Sequence, residues 1–332
     1  MKIKQIVCAS LVLLASNLHA QQINGAGSSF IFPVLSKWAS TYHQETQQKI
    51  NYQSIGSGGG IRQIIQGTIH FAATDAPLSE AELNQQGLIQ FPLIVGGVIP
   101  TINVKGIEAN ALQLDGETLA QVFSGNIRYW DDDKIKQLNP SLSLPHKAIT
   151  VVHRADGSGS TWMLTNYLSK VSPTWAQTIG NDKSVNWPKG VGAKGNEGVA
   201  NYIKRIDGAI GYVELAYVLH NQMSSVRLKN AAGNFVAPTQ ASLMAAAAYA
   251  DWKSTPGMAV ILTNQEGADS WPITGATFGL IRRSNQGETN QAIQAFFRWS
   301  FQHGAQQATQ LAYVPLPRTV VDEIERQWQE KP

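Results

Sequence analysis

The chain of 332 residues has almost no cysteine: one, at position 8. Everything after it must hold together without disulfide bonds, by packing a hydrophobic core, and a chain of this length can build one. Charge is also scarce. Asp, Glu, Lys and Arg make up 15% of the residues, against about 25% in an ordinary soluble domain. The 26 basic and 23 acidic residues nearly cancel, to a formal +3. That is too little for the phosphate-tracking surface of a nucleic-acid binder, so nucleic acid is not an expected partner. No stretch approaches the roughly 18 uninterrupted apolar residues of a membrane span. The seven histidines are scattered without ligand spacing, which argues against a metal site. The P-loop, the GxSxG nucleophile turn and HExxH are all missing.

The N-terminus has a layout of its own. Lys2 and Lys4 precede an apolar run from Ile6 to Ala15, and a short polar stretch ends at Ala20. This is the pattern of a secretory signal peptide, predicted to be cleaved after Ala20. Cys8 lies early in the apolar run, away from the position of a lipid-anchored cysteine. Removing residues 1–20 leaves a cysteine-free, exported chain with a formal charge of about +1.

At roughly 150 residues per domain, the length predicts about two domains. Strand-like and helix-like patterns alternate, which predicts an α/β architecture with largely parallel sheets. Residues 50–55 read as a strand, followed by Ile61, Ile64 and Ile65 at helical spacing before Gly67. Ile69, Phe71 and Ala73 alternate as another strand, and Ser79 with Glu82 forms a capping box. Residues 148–154 and 208–215 are strand candidates, each next to a helix with an apolar face. Asp131, Asp132 and Asp133 read as the start of a short helix ending at Asn139 and Pro140. Residues 91–104 and 271–281 are long, extended and apolar.

What the chain does have is glycine, 29 residues of it, gathered where strands hand over to helices. Three loops stand out: Gly25 to Ser29, Gly56 to Gly60, and Asp156 to Thr161. Each combines glycine with Ser or Thr ahead of a helix. The first amides of a helix lack intrahelical partners and carry the positive end of the dipole, so such loops can cradle an anion. Any one of them could equally be an ordinary helix cap. Three together, with Arg154 two residues before Asp156, favour an oxyanion, because a guanidinium fork matches its geometry. Asp75, at the end of the strand FAATD, has two readings. It caps the turn through Pro77, or it accepts a proton from the ligand. Phosphate carries such a proton near neutral pH, whereas sulfate does not. The glycines from Gly190 to Gly195 fit a dinucleotide fingerprint literally, but they follow Trp187 and Pro188 rather than a strand.

The segments GAGSSF, NYQSIGSGGGIRQII, TDAPLS, LIQFPLIVGGVIPTIN, RADGSGST, GNEGVANYI and GAIGYVELAY resemble the periplasmic phosphate-binding proteins of bacterial ABC phosphate importers. The resemblance runs in the same order over nearly the whole chain after residue 20. It implies a two-lobed type II periplasmic binding fold, α/β, each lobe a mixed, mostly parallel sheet flanked by helices, with the ligand between the lobes. The lobes are then expected at 21–97 with 272–332, and at 98–271. Carried over by position, the resemblance assigns phosphate contacts to Ser29, Ser57, Asp75, Arg154, Ser158, Gly159 and Ser160, with Asp156 orienting Arg154. Ser29 and Ser160 stand where the family commonly has threonine, and Gly58 where serine is frequent. The implied protein is a periplasmic monomer that binds phosphate and passes it to the permease subunits of the importer, with no cofactor and no catalysis. A binder of sulfate or molybdate, or a phosphoester hydrolase, are the alternatives. Trp162, beside the third loop, is expected to report binding by its emission.

Overall fold

The computed structural model describes residues 22–252, 254–284 and 287–329. The proposed signal peptide, Cys8 and the cleavage point after Ala20 lie outside the described residues.

The chain opens with β1 (Ile23–Gly27), α1 (Phe32–Thr46), β2 (Ile50–Ser54), α2 (Ser57–Gln66), β3 (Phe71–Thr74), α3 (Glu80–Gln86) and β4 (Leu88–Asn103). Further along come β5 (Thr150–Arg154), α4 (Gly159–Val171), β6 (Val191–Ala193), α5 (Gly195–Arg205), β7 (Ala209–Glu214) and α6 (Leu215–His220). Then follow β8 (Thr274–Arg282), α7 (Glu288–His303) and α8 (Arg318–Gln329). The strands line up in the order β2-β1-β3-β8-β4-β7-β5-β6, with a short strand at Ser224–Ser225 also on β4. Pairs β1/β2, β1/β3, β5/β6 and β5/β7 are parallel; β8 runs against both β3 and β4, and β4 against β7. A small three-stranded sheet stands apart.

The 16 residues of β4 serve two half-sheets. Leu88 to Gly97 pair with β8, and Val98 to Asn103 pair with β7. Nearly all of the strand is buried, which accounts for its continuous apolar run: a strand covered on both faces shows no alternation. The same cause explains β3. Its four residues are all buried, so the alternation expected from Ile69, Phe71 and Ala73 is not the pattern the strand follows. Under the first half-sheet, α7 inserts Phe297 edge-on against Phe71 and Phe91 at centroid distances of 5.3 and 5.5 Å. Under the second, Phe123 meets Tyr212 edge-on at 5.9 Å. Each such fully buried side chain contributes roughly 1.5–3 kcal/mol.

Local signals act where they were read. Ser79 and Glu82 close the capping box of α3, and Gly67 ends α2 at φ 75°. Asp132 caps the helix Asp133–Leu138. The first glycine loop departs from expectation. Gly25 to Gly27 belong to β1, and α1 begins only at Phe32, with Ile31 at its N-cap and no side-chain cap. Ser28 and Ser29 thus occupy the strand-to-helix crossover, not a helix N-terminus.

Candidate functional site

The three loops and the end of β3 converge at one place, where loops from the two half-sheets touch. Ser28 and Ser29 follow β1, Ser57 opens α2, and Asp75 follows β3. From the other half-sheet come Arg154 at the end of β5 and the turn leading into α4. Contact across the boundary is direct: the Gly58 amide donates to the Gly157 carbonyl at 2.9 Å, and the Gly159 amide to the Ser57 hydroxyl at 3.2 Å. Gly56 (φ +81°) lets the chain turn tightly into α2, and a Cβ there would strike Asp156 and the Gly157 carbonyl. Gly159 has a steric reason too. A Cβ there would lie 2.5 Å from Oδ2 of Asp75 and 2.7 Å from the Ser57 hydroxyl.

Asp75 is 2% exposed. Its carboxylate accepts the Ser28 hydroxyl at 2.7 and 2.5 Å, the Thr277 hydroxyl at 2.7 Å and, more distantly, Ser57 at 3.4 Å. Burial pushes its pKa up to about 6, against the pull of the Ser28 and Thr277 hydrogen bonds, the Arg154 charge and Ser57. The neighbouring turn is closed by Thr74, whose hydroxyl accepts the Ala76 amide at 3.2 Å and donates to the Ala76 carbonyl at 2.8 Å. Asp75 is therefore not the turn's cap; of its two readings, that one is set aside.

Arg154, 5% exposed, forms a fork with Asp156: Nε donates to Oδ1 at 2.7 Å and Nη2 to Oδ2 at 2.6 Å. Burial opposes its charge, but the Asp156 hydrogen bond, with the charges of Asp156 and Asp75 among those around it, holds its pKa above the ordinary value. Burial likewise opposes the Asp156 charge. The Arg154 hydrogen bond and charge overcome that, and its carboxyl stays below the usual range. The Gly195 amide at the start of α5 adds a donor at 3.2 Å.

The remaining hydroxyls differ in how they are occupied. Ser29 accepts two bonds from Asn196, which leaves its own proton to give. Ser158 caps α4 by accepting the Thr161 amide at 3.1 Å and likewise keeps a donor. Ser160 is fully buried and its oxygen has no partner among the described residues. A guanidinium, an acceptor carboxylate, helix-end amides and several donor hydroxyls together suit a tetrahedral oxyanion that brings one proton of its own.

All seven residues expected to contact the ligand, and Asp156, therefore fall within this one region. Sequence reasoning passed over Thr277, Asn196 and the second role of Ser28. Thr277 sits in a run of buried apolar residues 202 positions from Asp75, and no local pattern marks it. Ser28 stood in a loop already singled out, but its side chain turns to Asp75.

Known proteins place the chain in context. A family model described as a PBP superfamily domain matches residues 15–303. The phosphate-binding protein PstS of Pasteurella multocida (strain Pm70) is 52% identical over 315 residues, covering 95% of this chain and 92% of that protein. The phosphate-binding protein PstS of Haemophilus influenzae is 50% identical over 311 residues, covering 93% of each. Among solved structures, a high affinity periplasmic phosphate-binding protein (PfluDING) bound with phosphate superposes with a TM-score of 0.71 at 22% identity, over 92% of this chain and 93% of that one. That likeness carries the fold.

Proposed function

The chain belongs to the PstS family of phosphate-binding proteins within the PBP superfamily, and on that footing we propose that it binds inorganic phosphate and delivers it to the permease of an ABC phosphate importer. The observation that carries this reading is that Asp75 and Arg154 are both buried in one site and feel each other's charge. A cation alone would accept any oxyanion. A buried carboxylate beside it repels an unprotonated oxygen and welcomes a protonated one, and a desolvated mismatch of that kind can separate ligands by about 10⁴–10⁵.

In this reading Ser29, Ser57, Ser158 and Ser160 donate hydroxyls, Gly159 its amide and Arg154 its guanidinium to the phosphate oxygens, while Asp75 accepts the ligand's proton. The Gly159 amide gives up its 3.2 Å bond to Ser57, and Ser57 its long 3.4 Å contact with Asp75, to do so. Asp156 keeps Arg154 in place. Charge-assisted hydrogen bonds contribute about 1.5–3 kcal/mol each, so such a set exceeds the roughly 8 kcal/mol of micromolar binding before ordering costs. The lobes divide as 21–97 with 272–332 and 98–271, in keeping with the exchange of β4 between partners after Gly97. Closure of one lobe on the other excludes water; periplasmic binding proteins are the standard example of such hinge motion. The protein acts as a monomer in the periplasm, exported by its N-terminal segment, and is not an enzyme.

Titration calorimetry with phosphate, arsenate and sulfate tests the reading. Phosphate and arsenate should bind and sulfate should not; tight sulfate binding overturns it. A chromogenic phosphoester should show no turnover, and measurable turnover would favour the hydrolase instead.

A further inference from the structure

Two hydroxyls that take no part in the proposed phosphate contacts are committed to Asp75. Ser28, on the β1–α1 crossover, accepts the Phe30 amide at 3.0 Å and gives its single proton to the carboxylate, 2.7 Å from Oδ1 and 2.5 Å from Oδ2. Thr277, on β8, gives its proton to Oδ1 at 2.7 Å. Both residues are essentially inaccessible to solvent. Neither hydroxyl can turn to a ligand without abandoning Asp75, because each has one proton. Donors of this kind favour the charged form of a buried carboxyl, which burial alone would neutralise.

We propose that Ser28 and Thr277 are positioning residues that keep Asp75 an ionised, acceptor-only group and so set both the preference for phosphate over sulfate and the pH at which that preference fades. The inference rests on the reading above, in which Asp75 faces the phosphate proton. Its logic is chemical. An ionised Asp75 rejects sulfate by like charge; a protonated Asp75 becomes a donor and rejects it no longer. The groups that bear on Asp75 are few. Arg154 at the end of β5 favours its charge. Tyr52 on β2, Glu214 at the end of β7 and Tyr313, which precedes α8, feel its charge as repulsion in turn. Ser57 adds a long third hydroxyl contact at 3.4 Å.

The test is calorimetry with phosphate and with sulfate from pH 5 to pH 8.5, on the unmodified protein and on Ser28→Ala, Thr277→Val and the double variant. In the unmodified protein the phosphate-to-sulfate ratio should hold above neutrality and fall as the pH drops through about 6. Losing a hydrogen bond to a charged group should move that fall upward by about one pH unit per substitution and cut the ratio at pH 7 about tenfold. Ser28→Thr and Thr277→Ser, which keep the hydroxyl, should restore the original profile. A profile and ratio unchanged in the alanine and valine variants overturn the inference. So does a loss of phosphate affinity that is equal at every pH with the ratio intact, since that is the mark of a merely structural role. Should the double variant fail to fold, the single variants carry the same comparison. If the unmodified protein does not bind phosphate, it is the proposed function that fails, and the inference goes with it.

Discussion

Asn196 gives two N–H groups to the hydroxyl of Ser29, its backbone amide at 3.1 Å and its side-chain amide at 2.9 Å, across 167 positions of sequence. Asn196 belongs to α5, in the second half-sheet's territory, and Ser29 to the β1–α1 crossover in the first. The Tyr217 hydroxyl reinforces the link by donating to the Ser29 carbonyl at 2.8 Å. A proposed phosphate ligand is thereby oriented by residues of the other half-sheet's elements, so its placement depends on contact between the two.

Asn196→Ala should weaken phosphate binding about tenfold. The substitution removes one donor from Ser29 and leaves the Glu214 amide, which donates to Asn196 Oδ1 at 2.9 Å, without its acceptor; a lost buried hydrogen bond costs about 1–3 kcal/mol. The loss should appear as faster release, because the bond links the two half-sheets' elements at the site. Stopped-flow release followed by tryptophan emission measures it, and the phosphate-to-sulfate ratio should not move.

Gly159→Ala should abolish tight binding while leaving the fold intact. The added methyl collides with Asp75 and Ser57, which fall in the other lobe of the proposed division, so its expected effect is to prop the two apart. Small-angle scattering should show a larger radius of gyration that phosphate does not reduce. Gly106→Ala is the control. It has a left-handed φ of +83° but, among the described residues, nothing within 4 Å of the new methyl, so it should lose roughly 1 kcal/mol of stability and keep its affinity.

Breaking the Arg154–Asp156 fork should harm stability and binding together. The Arg154 side chain is 2% exposed and that of Asp156 14%, and removing one partner of a buried pair typically costs about 3–5 kcal/mol. Asp156→Asn keeps one acceptor oxygen, so a loss at the low end of that range is expected in urea unfolding without ligand. Saturating phosphate should recover part of it, by mass action on the folded state.

Asp75 ties stability to pH in a direction that can be worked out. Its folded pKa of about 6 lies above the ordinary 3.8. Its favourable contribution is therefore complete below the ordinary value and is lost as the pH rises through about 6. Asp75→Asn should match the unmodified protein near pH 4 and exceed it by about 2 kcal/mol at pH 7.5, in the absence of phosphate. Urea midpoints at the two pH values check this. Comparing the two proteins cancels the contributions of His70 and His153, whose values burial lowers. Glu214, raised chiefly by burial, also feels the Asp75 charge, so its small response is part of the difference.

Much of the site was legible because its chemistry is local. A loop such as Asp156 to Thr161 carries its glycines, hydroxyls and following helix in one stretch, and Arg154 is only two residues from the carboxylate that orients it. The strands were legible as long apolar runs for the same reason. What could not be read depends on the order of strands. Thr277 reaches Asp75 only because β8 lies between β3 and β4, and Asn196 reaches Ser29 only because loops of the two half-sheets come together. The start of α1 was displaced by a related cause: Gly25 to Gly27 are drawn into β1 by pairing with β2 and β3, and helix cannot begin until the chain has crossed over.

The place of β8 bears on the order in which the molecule can be finished. It fills the gap between β3 and β4, yet it is made only after the whole second half-sheet. A chain emerging N-terminus first carries β1, β2 and β3 as a sheet with an open edge, and β4 is anchored on one side only until the last quarter arrives. The sheet begun first is closed last, and its closure is a long-range, slow event in folding.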